Sequence, residues 1–301
     1  MAALSGPGPD QEPRGRSLLD DAALRFLRNR AAVGATALLG LLVIFVTLGP
    51  FLAQWNYEEI DWTAIGDIRT LGAPSLASGH YFGTDDLGRD LYSRTLQGTR
   101  TSLVVGFVGA FVALVVGTAY GTVAGYVGDR LDDLMMRKVD ILLAIPPTLV
   151  IILLMVIVER SLLMLFVGLG LTGWLTMSRV VRGQTLSLRT REFIEAARVA
   201  GVSGTMIVWR HILPNLLGIV IVYASLLVPE MILAESFISF LGLGIQEPNT
   251  SLGALIAEGA GTMGYGTSWQ LLCPLSFFLL TIITLYFIGD GLRDAFDPKD
   301  S

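Results

Sequence analysis

Several stretches of this chain are apolar for close to 18 residues or more, and that property decides most of what it can fold into. Bilayer hydrocarbon offers no water to backbone polar groups, so a segment that enters it must bond its own backbone as a helix. The spans fall at about 32–52, 102–126, 139–158, a fourth ending near Arg179, 212–231 and 271–289. With 52% hydrophobic and 16% charged residues, a soluble domain is excluded. The expected class is an all-α integral membrane protein with six transmembrane helices. Its one cysteine, Cys273, forms no intrachain disulfide and reads as a core thiol in an apolar run.

Six spans put both termini on one side, and the basic residues say which. Of 21 Lys and Arg, sixteen lie in the N-terminal tail, the 126–138 and 178–212 loops and the C-terminus; the opposite loops hold five. The positive-inside rule therefore places the termini in the cytoplasm of a multi-pass cell-membrane protein. The net charge of -5 carries no such information.

On that cytoplasmic side lies the longest polar interruption between hydrophobic segments of the C-terminal half, Arg191 to Pro214. It reads as two short helices joined at a glycine. Glu192 to Ala200 uses good helix formers, and Glu195 precedes Arg198 at a spacing that pairs charges on one face. Gly201 sits where a helix ends on a left-handed residue, Ser203 or Thr205 can cap a second helix, and Pro214 suits the start of the next span. A loop with its own secondary structure is usually a docking element, although a solvated amphipathic loop would look similar.

Residues 1–17 are rich in Gly and Pro and read as a disordered tail without a removable signal peptide. Leu18, Leu19, Ala22 and Phe26 recur at helical spacing, which suits an amphipathic helix on the cytoplasmic membrane surface. After the first span comes a polar segment of about fifty residues, ending in His80–Arg94. That end reads as an amphipathic helix capped by Thr84, with Asp85 and Asp86 in its first turn and Leu87 and Leu91 on one face. A metal site from His80, Asp85, Asp86 and Asp90 is conceivable; a structural helix entry is preferred, and no metal is assigned.

Three features inside the spans could carry function. Gly117, Gly121 and Gly125 form a doubled small-xxx-small face that lets another helix approach, unless they are merely scattered glycines. Pro146-Pro147 interrupts the third span with a kink or break, which can line a pathway or be purely structural. Glu230 and Glu235 lie at the outer end of the fifth span, where an acid is functional by default or marks an interfacial helix end. Glu159-Arg160 makes a tight turn into the fourth span.

Glu195-Ala196-Ala197, three residues, Gly201, then Leu213-Pro214 resembles the EAA loop of binding-protein-dependent ABC importer permeases. His211 stands where that pattern has isoleucine. The stretch His80 to Arg94 resembles the H-P-L-G-T-D-x-L-G-R-D-x-x-S-R segment of the dipeptide and oligopeptide branch, with Tyr81 and Phe82 replacing Pro and Leu. Glu235 to Gly244 resembles E-x-x-L-S-F-L-G-L-G of the same branch, and Gly289 to Pro298 is similar to its C-terminal tail. After Gly244, Glu247-Pro248 replaces a proline pair and Leu252 a tryptophan.

The resemblance implies a type I ABC importer permease fold with a cytoplasmic tail and amphipathic elbow helix over 1–31, a first transmembrane helix and extracytoplasmic segment over 32–98, a permease core over 99–290 and a cytoplasmic C-terminal tail over 291–301. Within the core, 190–212 would be the loop coupled to an ATPase. It implies ATPase-coupling roles for Glu195, Ala196, Ala197, Arg198, Gly201 and Pro214. The implied partners are a homologous second permease, two cytoplasmic ATPase subunits, an extracytoplasmic solute-binding protein and membrane lipid, with no nucleic acid. ATP and Mg would then sit in the partner ATPases. This chain has no G-x-x-x-x-G-K-[ST], H-E-x-x-H or G-x-S-x-G, so no cofactor is expected on it and an enzyme reading has no residues to stand on. A nickel or other small-solute importer of the same branch is the alternative. A stand-alone secondary transporter would predict inverted repeats or paired mid-membrane charges, and neither is evident.

Overall fold

The computed structural model describes residues 18–158 and 160–296, so the readings of the 1–17 tail, of Glu159 and of the last five residues lie outside it. The regular elements among the described residues are all helices, apart from two isolated β-bridges in the 60–90 segment. Helix α1 (Leu18–Arg28) is amphipathic and leads, through Asn29 as N-cap, into α2 (Arg30–Leu48) and a 3-10 turn over Gly49–Leu52. Beyond a short α3 (Trp62–Gly66) comes α4 (Leu91–Val127), followed by α5 (Asp129–Leu143), α6 (Pro147–Ile157) and α7 (Leu162–Arg189). Helices α8 (Glu192–Val199), α9 (Gly204–Ile207), α10 (Leu213–Phe240), α11 (Leu252–Thr262) and α12 (Trp269–Phe296) complete the order.

Five segments are long and apolar enough to cross a membrane: 30–52, α4, α7, 204–240 and α12. The third predicted span is instead two helices. Helices α5 and α6 are bent by 73° at the break before Pro147, and they make a sixth span only if counted together. Pro146 has extended backbone (ψ 125°), as a residue preceding proline prefers, and Pro147 opens α6 where its missing N–H costs nothing.

The second span starts eleven residues before the expected Ser102. The apolar pattern stops there, but Arg94, Thr95, Thr99 and Thr101 are buried against neighbouring segments and continue the helix in a polar key. The predicted helix entry at Thr84 is not formed. Asp85 Oδ1 accepts the backbone N–H groups of Leu87 and Arg89 at 2.9 and 2.8 Å, and Gly88 has φ +74°, so Thr84–Asp90 closes as a turn. A side chain that satisfies local N–H groups competes with helix in this way. The cap of α4 is Asp90, whose Oδ2 accepts from the Ser93 N–H at 2.8 Å.

The core lies where α4, α6, α7 and α10 meet, around Val105, Ala113, Ile151, Leu165, Leu169 and Ile232. The Gly117, Gly121 and Gly125 face packs inside the chain, against α7. A Cβ at Gly117 would lie 2.6 Å from Met177 Cβ, and one at Gly125 would lie 2.7 Å from Thr185 Cβ. Helix α5 is tied to α7 by the Arg182–Asp132 pair, bidentate at 2.6 and 2.5 Å, and by Arg179–Asp140.

Candidate coupling and translocation site

Helix α8 begins after Arg191, whose carbonyl accepts from the Ile194 and Glu195 N–H groups. It ends as its composition predicts. Gly201 has φ +79°, its N–H donates to the Arg198 carbonyl at 3.0 Å, and the Val202 N–H reaches back to Ala197 at 3.1 Å. This is the paired reversal of a Schellman motif, which satisfies two helix-end carbonyls and turns the chain sharply. The space around Gly201 is open, so glycine is required by backbone conformation and not by crowding.

One buried residue anchors this surface helix. Ile194 is fully buried in a cluster with Met177 and Val181 of α7 and Ile207, Ile212 and Leu216 of the following helix. Any displacement of α8 therefore loads two membrane helices at once, because a close-packed cluster transmits strain. Glu195 and Ala196 are exposed, and so are four large apolar groups of the same element: Phe193, Val199 (90% exposed), Met206 and Trp209 (69% exposed). The expected Glu195–Arg198 pair is not formed. Arg198 instead lies over the Tyr126 ring, 5.7 Å from its centroid, where a cation–π contact competes with a solvated ion pair. Glu195 thus faces solvent without an ion-pair partner among the described residues.

The second short helix is not a separate unit. Ser203 occupies its N-cap position without a side-chain hydrogen bond, and α9 runs through a π-turn (Val208–Ile212) straight into α10. Pro214 explains the turn. It has no N–H and would clash with the carbonyl four residues back, and widening the helix there accommodates the ring. The Leu213 N–H bonds to Val208, and the Asn215 side chain donates to the His211 carbonyl at 2.6 Å. Residues 204–240 therefore form one continuous rod from the Gly201 reversal to the far side of the span.

That rod carries both acids noted in the sequence, in different settings. Glu230 is exposed on a face with Leu233 and Phe237, directly after the buried Pro229. Glu235 is fully buried, and its carboxylate accepts hydrogen bonds from Ser102 at 3.0 Å, Ser236 at 3.1 Å and Ser239 at 2.7 Å. The Ser102 hydroxyl also accepts from the Leu252 N–H at 3.3 Å, so the knot joins α4, α10 and α11. Glu235→Ala is expected to strand these hydroxyls and destabilise the subunit by about 1–3 kcal/mol, whereas Glu235→Gln keeps most of the bonds. Thermal unfolding of the detergent-solubilised protein measures the difference; equal loss in both variants would show that the hydroxyl bonds are not what matters. Pro146 and Pro147 are exposed at the α5–α6 bend.

The other end of the molecule holds a polar cluster that motif reading missed. Arg89 bonds Asp85 and Glu247, each at 2.7 Å, and Arg94 bonds Glu258 of α11 at 3.0 Å. The hydrogen bond from Arg89 holds the Glu247 carboxyl below its ordinary range, and burial pushes Glu258 up. Helix α11 went unread because its eleven residues are too short to cross a bilayer and share the composition of a loop. The Ser251 hydroxyl accepting from the Ala254 N–H was its only local signal. The residues considered for a metal are divided: His80 stacks on Trp55 and bonds Asp90 (3.0 Å) and Asp61 (3.3 Å), while Asp85 faces Arg89 and Arg94. Burial pushes the Asp90 carboxyl up, and the His80 hydrogen bond opposes it.

Residues 117–299 match the family described as "Binding-protein-dependent transport system inner membrane component". The chain belongs to this family. Residues 17–77 separately match the "N-terminal TM domain of oligopeptide transport permease C". The "Oligopeptide transport system permease protein OppC" of Escherichia coli is 53% identical over 96% of this chain and 94% of its own length. That of Haemophilus influenzae is 48% identical over 97% and 92%. The "Dipeptide transport system permease protein DppC" of Bacillus subtilis is 41% identical over 94% and 86%. The fold is shared with an inward-facing structure of the MetNI methionine ABC transporter (TM-score 0.54, 21% identity, 67% of this chain and 96% of that one). The protein is thus an inner-membrane, multi-pass ABC importer permease; the family expected from its motifs holds, and so does the all-helical membrane class, with five to six apolar spans among the described residues.

Proposed function

We propose that this permease carries short peptides inward, as one of two homologous permease subunits served by two ATPases and an extracytoplasmic binding protein. The observation that carries the reading is the α8 surface. An unpaired Glu195 sits on a helix anchored through Ile194 to α7 and the 204–240 rod, and the same cytoplasmic element leaves Phe193, Val199, Met206 and Trp209 exposed. Exposed apolar groups and an unpaired acid on one short element suit a groove on an ATPase subunit, with Arg198, Ala196, Ala197, Gly201 and Pro214 setting the element's geometry. ATP and Mg would bind in that partner, whose closure drives alternating access. In this reading Pro146, Pro147 and the Glu230 face line the pathway between permeases, and Glu235 braces the helix that presents Glu230. Helix α1 lies as an elbow on the cytoplasmic membrane surface.

The substrate class comes from the names of the close relatives and is tested directly. The assembled transporter in proteoliposomes should accumulate a labelled tripeptide when ATP and the loaded binding protein are supplied; nickel uptake without peptide uptake would overturn the assignment. Orientation is tested separately. Reporter fusions after Ser187 should read cytoplasmic and those near Ser78 and Thr250 extracytoplasmic. A cytoplasmic signal at Ser78 would remove the basis for coupling through α8.

A further inference from the structure

At the end of the molecule away from α8, two cavities meet at one arginine. The first, of about 470 Å³, lies under residues 50–59 and is of mixed character; Gln54, Asn56, Glu59 and Gln97 give its polar side, Trp55 and Leu96 part of its apolar one. The second, of about 310 Å³, is an apolar groove between α2 and α4, lined by Val43, Leu103, Val104, Phe107 and Val108. Val46 and Arg100 line both. Because α2 and α4 are antiparallel, Val46 to Val43 and Arg100 to Val108 descend together into the spans.

Depth places the junction at the membrane edge. From Arg100 to Val127 the helix runs about 40 Å, at 1.5 Å per residue. A bilayer is about 30 Å thick in hydrocarbon and about 40–45 Å with its headgroups. With Val127 at one surface, Arg100 lies in the headgroup layer of the other. It is exposed and has no carboxylate partner among the described residues. A guanidinium at that level stands among lipid phosphates, whose oxygens match its fork. Across the same cavity the Glu59 carboxylate is exposed and accepts a single long contact, from the Asn56 N–H at 3.4 Å.

We infer that this junction is a binding site for one zwitterionic phospholipid with a primary amine, its phosphate on Arg100, its ammonium toward Glu59 and an acyl chain in the Val43–Val108 groove. A free peptide is also zwitterionic, but only a lipid joins such a headgroup to a chain long enough to follow the groove from the first cavity down into the spans. The location agrees with lipid. Helix α2 is the least buried of the five unbroken spans, and the site lies outside residues 117–299, the part shared by the wider transport family. The lipid would fasten the N-terminal segment to the outer half of α4.

The test is lipid retention by the whole transporter, read by native mass spectrometry after delipidation and add-back of phosphatidylethanolamine or phosphatidylglycerol. Wild type should hold one phosphatidylethanolamine per copy of this chain. Arg100→Gln should lower its retention about tenfold, the loss of one charge-assisted bond, and Arg100→Lys should restore part of it. Val104→Trp, which fills the groove without touching a charge, should also weaken retention. Glu59→Gln should erase the preference over phosphatidylglycerol. Equal retention in wild type, Arg100→Gln and Val104→Trp would overturn the site. Displacement of the lipid by a dipeptide would reassign it to peptide, and unchanged headgroup preference in Glu59→Gln would overturn the ammonium contact.

Discussion

Gly201→Val combined with Glu195→Lys is expected to leave the chain inserted and abundant while uptake falls to background. Moving a two-state transporter from mostly inward to mostly outward takes about 5.5 kcal/mol of differential binding. In the proposed coupling, that energy enters through contact with an ATPase subunit. At φ +79° a β-branched residue is strained by about 1–2 kcal/mol or more. Open space around Gly201 means that Val adds no clash, so the strain is relieved by changing the reversal between α8 and the 204–240 rod. Ile194 stays packed with Ile207 and Ile212, which keeps the fold intact. What changes is the angle at which Phe193, Val199 and Trp209 are presented, together with the sign of the charge at position 195 of α8. The ATPases should detach, or hydrolyse ATP without responding to loaded binding protein. Full uptake with substrate-stimulated hydrolysis would sink the coupling assignment.

How far each element was legible follows from how local its determinants are. The spans were readable because a bilayer demands apolar length, and Gly201 because a left-handed helix end is a property of a few consecutive residues. The start of α4 was not readable, since Arg94 and Thr95 are helical only by virtue of what buries them. Thr84 was misread as a cap because its neighbours also suit a helix. The decision lies with Asp85 taking two backbone N–H groups and with the remote pairing of Asp85 with Arg94. Arg198 has two partners within reach, and sequence spacing favoured Glu195, whereas the fold brings up Tyr126 from α4. In the 191–214 element the residues and their order were therefore evident, while the exposure of Phe193, Val199, Met206 and Trp209 was not, because exposure is a tertiary property.

The glycine stripe shows the same division, and it supports the second large effect. Spacing alone says that Gly117, Gly121 and Gly125 admit a close neighbour without saying which one; the structure makes it α7 of the same chain. A Cβ on Gly121 would lie 2.4 Å from the Ser178 carbonyl oxygen, 2.9 Å from Val181 Cβ and 3.0 Å from the Arg182 backbone nitrogen. Two of those three atoms are backbone, so no rotamer change clears them. Alanine is thus not the mild variant that spacing alone suggests. Gly121→Ala is expected to force α4 and α7 apart and cost about 1–3 kcal/mol, the usual range for overpacking. Gly121→Leu should exceed that and prevent accumulation of the folded subunit, because separating α4 from α7 also disturbs the seat of Ile194 beside Val181. Gly183, on the same helix as Val181 but with nothing within 4 Å of its Cβ position, is the control, and Gly183→Ala should be nearly neutral or slightly stabilising. Membrane abundance and thermal stability of the three variants decide the matter. Wild-type stability for Gly121→Ala would mean that the two helices do not approach as closely as the packing at Ser178 requires.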